Sequence, residues 1–384
     1  MLLDIPEQEK LEIGKILEFR RKHLGLSVDA LTDKVCSKNT YYKLVKSSIA
    51  ESEIYDMLLD KVGLYYSYEN KSHLSYDRLW DFFLQEDWKN YYKQIDDLLE
   101  KIDKTDVQNY PLFLALWIIK TPLDMEDICI SELFPLLSNQ FQELLSNAVM
   151  SYFYEEKKED TYESLENLKK DTFTNQKLYL FCLIKAKKYY SASLLCEHLL
   201  QQSNKNQRFS ILLAKLFLVE EIQPSLFEGC LKELQQNLSY KEDWEYDQFM
   251  YTAGVFYYKH KNYEKAWPFL SKALQAETFK PMSLLFMLHI ETLTNLKLDK
   301  KEEYFKSIEN SNASEELQTM LTYYKKKYEK VSYKKLSDYL WNTCRKQISM
   351  FYPQEMMRDM IKDELYWISM QDGDKKRYYS FNKK

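Results

Sequence analysis

Lys38, Asn39, Thr40 and Lys43 are the residues whose types and spacing best suit a chemical task. All four side chains donate hydrogen bonds. They follow Ser37, a residue suited to capping a helix, so they occupy the opening turns of one helix. Asparagine there is suited to bidentate contact with an adenine edge. The chemistry these residues offer is recognition of a nucleic-acid surface.

Residues for bond-making chemistry show no comparable cluster. The histidines, at 23, 73, 198, 260 and 289, stand apart from one another. His198 and His289 follow apolar helix positions and read as packed side chains. The chain has no His-Glu-x-x-His, P-loop, glycine-rich dinucleotide turn or Gly-x-Ser-x-Gly. The six cysteines (36, 129, 182, 196, 230 and 344) include no Cys-x-x-Cys pair, and fit reduced, mostly buried thiols of a cytosolic protein. Carboxylates mostly stand beside lysines, as from Glu156 to Asp160, and read as solvated helix faces. No enzymatic activity, metal or cofactor is expected.

The elements that must hold Lys38 to Lys43 can be read locally. Ile13, Ile16, Leu17 and Leu24 fall on one helical stripe. Gly25 is placed to stop that helix. Ser27 caps a second one, whose buried face is Val28, Leu31 and Val35. Ser37 opens a third, from Lys38 to about Lys46. Three short amphipathic units separated by two polar breaks form the layout of a helix-turn-helix head, in which the capped third helix would enter the major groove. Charge points the same way. Residues 10–50 carry nine Lys/Arg against four Asp/Glu, whereas the whole chain has a net charge of −5. A basic head on an acidic body suits phosphate attraction.

The segment from Ile13 to Leu64 resembles the XRE-type helix-turn-helix family. The resemblance is carried by Ile13, Gly14, Ile16, Phe19, Arg20, Gly25, Leu26, Ser27, Leu31, Ser37, Tyr41, Lys43 and Leu44. It departs from the family at Thr32, where alanine is usual, and at Val45, Lys46 and Ser47, where Glu-Arg-Gly is common. It implies a DNA-binding set of Arg20, Arg21, Ser27, Ser37, Lys38, Asn39, Thr40, Tyr41 and Lys43.

The rest of the chain reads as helix. Gly numbers only 6 and Pro only 8, so few turns demand special backbone, while 32 tyrosines suit inter-helix packing with a hydroxyl at the surface. The N-terminal residues are too acidic and too weakly apolar for a signal peptide. The run from Pro111 to Ile119 is too short to span a bilayer. A helical repeat is clearest from Asp247 to Thr278. Met250, Ala253, Gly254 and Tyr257 would pack one helix, Ala266, Leu270 and Ala273 the next, with the turn at Lys261 to Tyr263. A fainter copy has Leu180 and Leu183, then Ala192, Cys196 and Leu199. A third pair lies at 208–220 and 225–236. Ala192 and Ala266 are 74 residues apart, close to two tetratricopeptide units.

The expected organisation is all-α. A helix-turn-helix domain occupies 1–66, a Tyr-rich linker 67–76, a tetratricopeptide-like α-solenoid 77–370 and a basic, frayed tail 371–384. The solenoid would start with a long amphipathic helix, Asp77 to Lys101. It would end in capping helices from Val331 to Met370, broken at Pro353.

This combination resembles the Rgg/PlcR branch of the RRNPP peptide-pheromone receptors. The resemblance implies a cytoplasmic, homodimeric transcription regulator acting in quorum sensing, with double-stranded DNA and a short signalling peptide as partners and no membrane association. Gln248, Tyr251, Val255, Tyr258 and Lys259 would take groove-facing positions, Gln and Tyr bonding the peptide backbone and Lys259 its terminal carboxylate. Two alternatives stay open: a constitutive dimeric regulator using the repeats only for dimerisation, and a Rap-like module acting on a response regulator.

Overall fold

The computed structural model describes residues 4–68, 75–121, 130–155, 165–238, 243–308, 313–348 and 354–382. The described residues are all-α, with no β-strand, and form two units, Met1–Gln202 and Ser203–Lys384. None of their helices is long and apolar enough to cross a membrane. His73, Cys129, the run from Glu156 to Asp160 and Pro353 fall outside the described residues, as do 69–74 of the expected linker.

The first unit opens with α1 (Glu7–His23), α2 (Val28–Thr32), α3 (Lys38–Ser47) and α4 (Ser52–Lys61). Glu7 and Glu9 lie in the first turn of α1 and Arg20 to His23 in its last, so both ends complement the helix dipole. Ile13, Ile16 and Leu17 bury its inner stripe with Phe19. Leu24, expected on that stripe, is instead the C-cap and is exposed, because the helix has already ended. The Ser27 hydroxyl accepts from the Ala30 amide, and that of Ser37 from the Thr40 amide, each 3.1 Å away. Both expected caps therefore form, and each holds an amide that the first turn leaves without a partner. α2 ends at Thr32, so Val35 packs, half-buried, from the turn beyond it.

α1 lies against α3 with almost no clearance. A Cβ added at Gly14 would stand 2.7 Å from the Leu44 carbonyl oxygen, a backbone atom that cannot swing aside. Gly14→Ala gains about 1 kcal/mol of helix propensity but incurs an overpacking cost of about 1–3 kcal/mol. The expected net result is destabilisation of the α1–α4 segment, read as faster amide hydrogen exchange there. Slower exchange would show that α1 and α3 can part freely.

The unit continues with α5 (Asp77–Leu84), α6 (Trp88–Lys101), α7 (Tyr110–Lys120), α8 (Ile130–Leu133), α9 (Asn139–Glu155), α10 (Phe173–Lys185) and α11 (Tyr189–Gln202). The single helix expected from Asp77 to Lys101 is two. Glu86 turns the chain with φ +56°, and Asp87 caps α6 through the Asn90 amide. Residues 64–68 are built into the unit: Leu64 and Tyr66 are buried, Tyr65 pairs with Asp106, and the Tyr66 hydroxyl donates to Glu9 at 2.7 Å. α10 and α11 pack as a pair through Leu180, Leu183, Ala192, Cys196 and Leu199, all buried. His198, expected to be packed, is exposed on the other face of α11.

The second unit comprises α12 (Lys205–Ile222), α13 (Phe227–Gln236), α14 (Asp243–Lys259), α15 (Tyr263–Ala273), α16 (Lys280–Leu293), α17 (Lys301–Ile308), α18 (Glu315–Tyr328), α19 (Tyr333–Asn342), α20 (Gln354–Asp372) and α21 (Lys376–Asn382). α14 and α15 make an intimate helix pair. A Cβ at Gly254 would meet Leu270 at 2.8 Å, and Ala253, Ala266 and Ala273 are fully buried. Tyr263 belongs to α15, which Asn262 caps. Lys376–Asn382 of the tail is helical rather than frayed as expected: α21 docks by burying Phe381, while Arg377 bonds Ser337 at 3.0 Å and pairs with Asp338.

Candidate functional site

Among the described residues the candidate binding side chains fall in two places, one in each unit. In the first, α3 presents Asn39, Tyr42, Lys43 and Lys46 on one exposed stripe, with Lys38 at its start. The spacing i, i+3, i+4, i+7 puts the four on a single helical face. α3 contains no acidic residue. Lys38 reaches Asp29 at 2.5 Å, an exposed pair of little energetic weight. Thr40 is half-buried, its hydroxyl 2.8 Å from that of Ser37.

Three of the expected DNA-contacting side chains are occupied inside the unit. Tyr41 is fully buried and its hydroxyl donates to Glu18 at 2.5 Å. Arg21 grips both oxygens of the same Glu18 at 2.8 Å and also bonds the Leu26 carbonyl. Burial pushes the Glu18 carboxyl up, but Arg21 and then Tyr41 outweigh it and hold the group below its ordinary range. This triad ties α1 to α3 and to the turn after α1. Arg20 donates to the Tyr110 hydroxyl at 2.7 Å and to the Val62 carbonyl at 3.4 Å, with its guanidinium over the Tyr110 ring. The sequence signal for the triad was present: Glu18 and Arg21 are spaced i, i+3 on α1. Tyr42, missed in the sequence, is 48% exposed and sits between the donors.

The second place is a cavity of about 620 Å³ within the second unit. Gln248, Tyr251, Val255, Tyr258 and Lys259, all from one face of α14, line it together. The volume lies within the range of ordinary ligand pockets. Opposite α14 stand Glu355, Asp359 and Asp363, with Glu220 and Glu221 from the end of α12. Lys259 is engaged by Glu220 at 2.5 Å. Gln248 donates to Thr252 at 3.2 Å. The sequence did not point to the acidic wall because α20 lies about a hundred residues beyond α14.

His289 closes the floor of this cavity. Its Nδ1 is 2.6 Å from the Tyr258 hydroxyl. Burial pushes its pKa down to about 4, against the pull of Glu364 and with the help of Lys327. The folded chain therefore binds this proton less readily than the unfolded chain does. The associated stability is complete above pH ~6.5 and is lost as the pH falls towards 4, by up to about 3 kcal/mol. Amide exchange in α14 and α16 is expected to accelerate between pH 6.5 and 4.5, after correction for intrinsic rates, in the wild type and much less in His289→Asn. An equal pH response in both proteins would take His289 out of this role.

Among the described residues no group of three or more His, Cys, Asp or Glu is placed to hold a metal ion. Comparison with protein-family models, curated proteins and solved structures finds no match to this chain.

Proposed function

We propose that this chain is a DNA-binding transcription regulator whose second unit senses a short peptide. The observation that carries the reading is the exposed stripe of α3. Asn39, Tyr42, Lys43 and Lys46, with Lys38, offer donors and positive charge without a competing carboxylate on the helix. Ser37 fixes the start of that helix, so Lys38 and Asn39 stand at the end that reads bases in a helix-turn-helix. Arg21 and Tyr41 then act by holding α3 in place through Glu18, and Arg20 by tying α1 to α7 and to the end of α4. The solenoid reading is supported by the tight α14–α15 pair and by the five expected groove residues meeting in one cavity.

The regulator reading implies a homodimer on half-sites about 34 Å apart. A peptide changes DNA binding only if it binds two states unequally, and a full reversal takes about 5.5 kcal/mol. The test is a genome-wide pull-down of DNA with the tagged chain. Discrete peaks sharing an inverted repeat are expected. Uniform coverage with and without culture supernatant, the source of any secreted peptide, would remove DNA recognition.

A further inference from the structure

The walls of the second-unit cavity carry a charge pattern that the peptide reading alone does not explain. Five carboxylates face two lysines, which leaves a net charge of −3 with His289 neutral. Glu355, Asp359 and Asp363 follow one another at i, i+4 and i+8, an acidic stripe along α20. Like charges at that spacing repel and cost the helix stability. Among the described residues Asp359 makes no ion pair, and the nearest basic group to Asp363 is the His289 imidazole, at 3.6 Å, beyond hydrogen-bond reach, while Lys261 and Lys362 act on Asp363 only from further away. Lys259 is already taken by Glu220. Lys261, at the turn after α14, is the other lysine of the lining, and it opposes the stripe without neutralising it.

His289 supplies the independent sign that something belongs there. It is 1% exposed, and its Nε2 is buried with no hydrogen-bond partner among the described residues. The Asp363 carboxylate, 3.6 Å from Nε2, favours the neutral tautomer with its hydrogen on Nε2, in which the Tyr258 hydroxyl donates to Nδ1. Nε2 then carries the hydrogen and is a donor without an acceptor, on the side of Asp363. Buried polar atoms of folded proteins are nearly always paired. Tyr251 and Tyr263 belong to the same lining, and aromatic rings are favourable neighbours for a cation.

We propose that the cavity holds an ammonium or guanidinium group against Asp359 and Asp363, while His289 Nε2–H donates to an acceptor on the same ligand. The proposal rests on this cavity being the ligand site. It turns the ligand round relative to the expectation from Lys259: the positive end of a peptide enters, and its carboxylate does not. A free polyamine presents the same ammonium and is the other source of that chemistry.

Equilibrium dialysis of the full chain separates these cases. The probes are a pool of random heptapeptides lacking Lys, Arg and His, the same pool acetylated at its amino ends, and spermidine. Retention of the free-amine pool about tenfold above the acetylated pool is expected, with the difference lost in Asp359→Asn/Asp363→Asn. Asp359 is exposed, so Asp359→Lys alone gives a second variant that keeps the fold, and it should lose retention too. Spermidine retained without either pool, and lost in the variants, would keep the cation site and remove the peptide reading. Equal retention of both pools would overturn the cation site and leave the peptide reading standing. Retention of no probe, or retention unchanged in the variants, would overturn the cation site as well.

Discussion

Lys38→Ala with Asn39→Ala is expected to lower affinity for the chain's own DNA site by about a hundredfold or more. Each well-made base-edge contact contributes about 1–3 kcal/mol of discrimination, and every 1.4 kcal/mol is about tenfold. Both side chains are exposed and Lys38 makes only an exposed ion pair, so the helix should fold as before. Fluorescence anisotropy on a duplex taken from a pull-down peak measures the loss, with amide exchange of α1 to α4 as the folding control. Unchanged affinity in a folded double variant would take these residues off the reading surface. Tyr41→Phe gives the contrast. Tyr41 is buried and bonds Glu18, so its loss should weaken the fold of the head before it touches DNA recognition.

Lys327→Ala should be the most damaging single change in the second unit. Glu364 on α20 is completely buried and accepts from Lys327 at 2.6 Å, from Thr292 at 2.6 Å and from Tyr323 at 2.7 Å. Burial pushes its carboxyl up, but Lys327 first, then His289 and the Thr292 hydroxyl, hold it below the ordinary range. Its stabilisation is present above the unfolded carboxylate's pKa and is lost as the pH falls through the folded value. Without Lys327 a buried carboxylate is left uncompensated, at a cost of about 3–5 kcal/mol. The Lys327 ammonium also lies 3.8 Å from the centre of the Trp367 ring, so packing on α20 is lost with it. Amide exchange in α16, α18 and α20 should accelerate by about a hundredfold or more. A change below about 1 kcal/mol would mean the pair is solvated.

The helices themselves were largely legible in the sequence because they rest on local chemistry. Ser27 and Ser37 announced two caps, and Ile13, Ile16 and Leu17 of α1 needed only their periodicity, whereas Tyr41 of α3, expected to face DNA, is buried. Failures came where local and distant chemistry part company. Glu86 looks like a helix residue, yet it takes a positive φ while its carboxylate pairs with Lys177, far away in the chain. The basic tail reads as frayed by its composition, but Phe381 and Arg377 find partners on the folded surface. Arg20 and Arg21 look alike from outside, and only the positions of Tyr110 and Glu18 show what each one holds. At the cavity, one face of α14 could be read as a set, but the carboxylates of α20 belong to a different helix. No periodicity in α14 encodes the sign of the wall it will face.

Selection of bound duplexes from a random-sequence DNA pool tests the central claim most directly. It should use the purified chain, alone and with culture supernatant added, beside the Lys38→Ala/Asn39→Ala variant. The account predicts convergence on an inverted repeat with the wild type and none with the variant. A wild-type pool that stays random under both conditions, or a variant that converges on the same sequence, would contradict it.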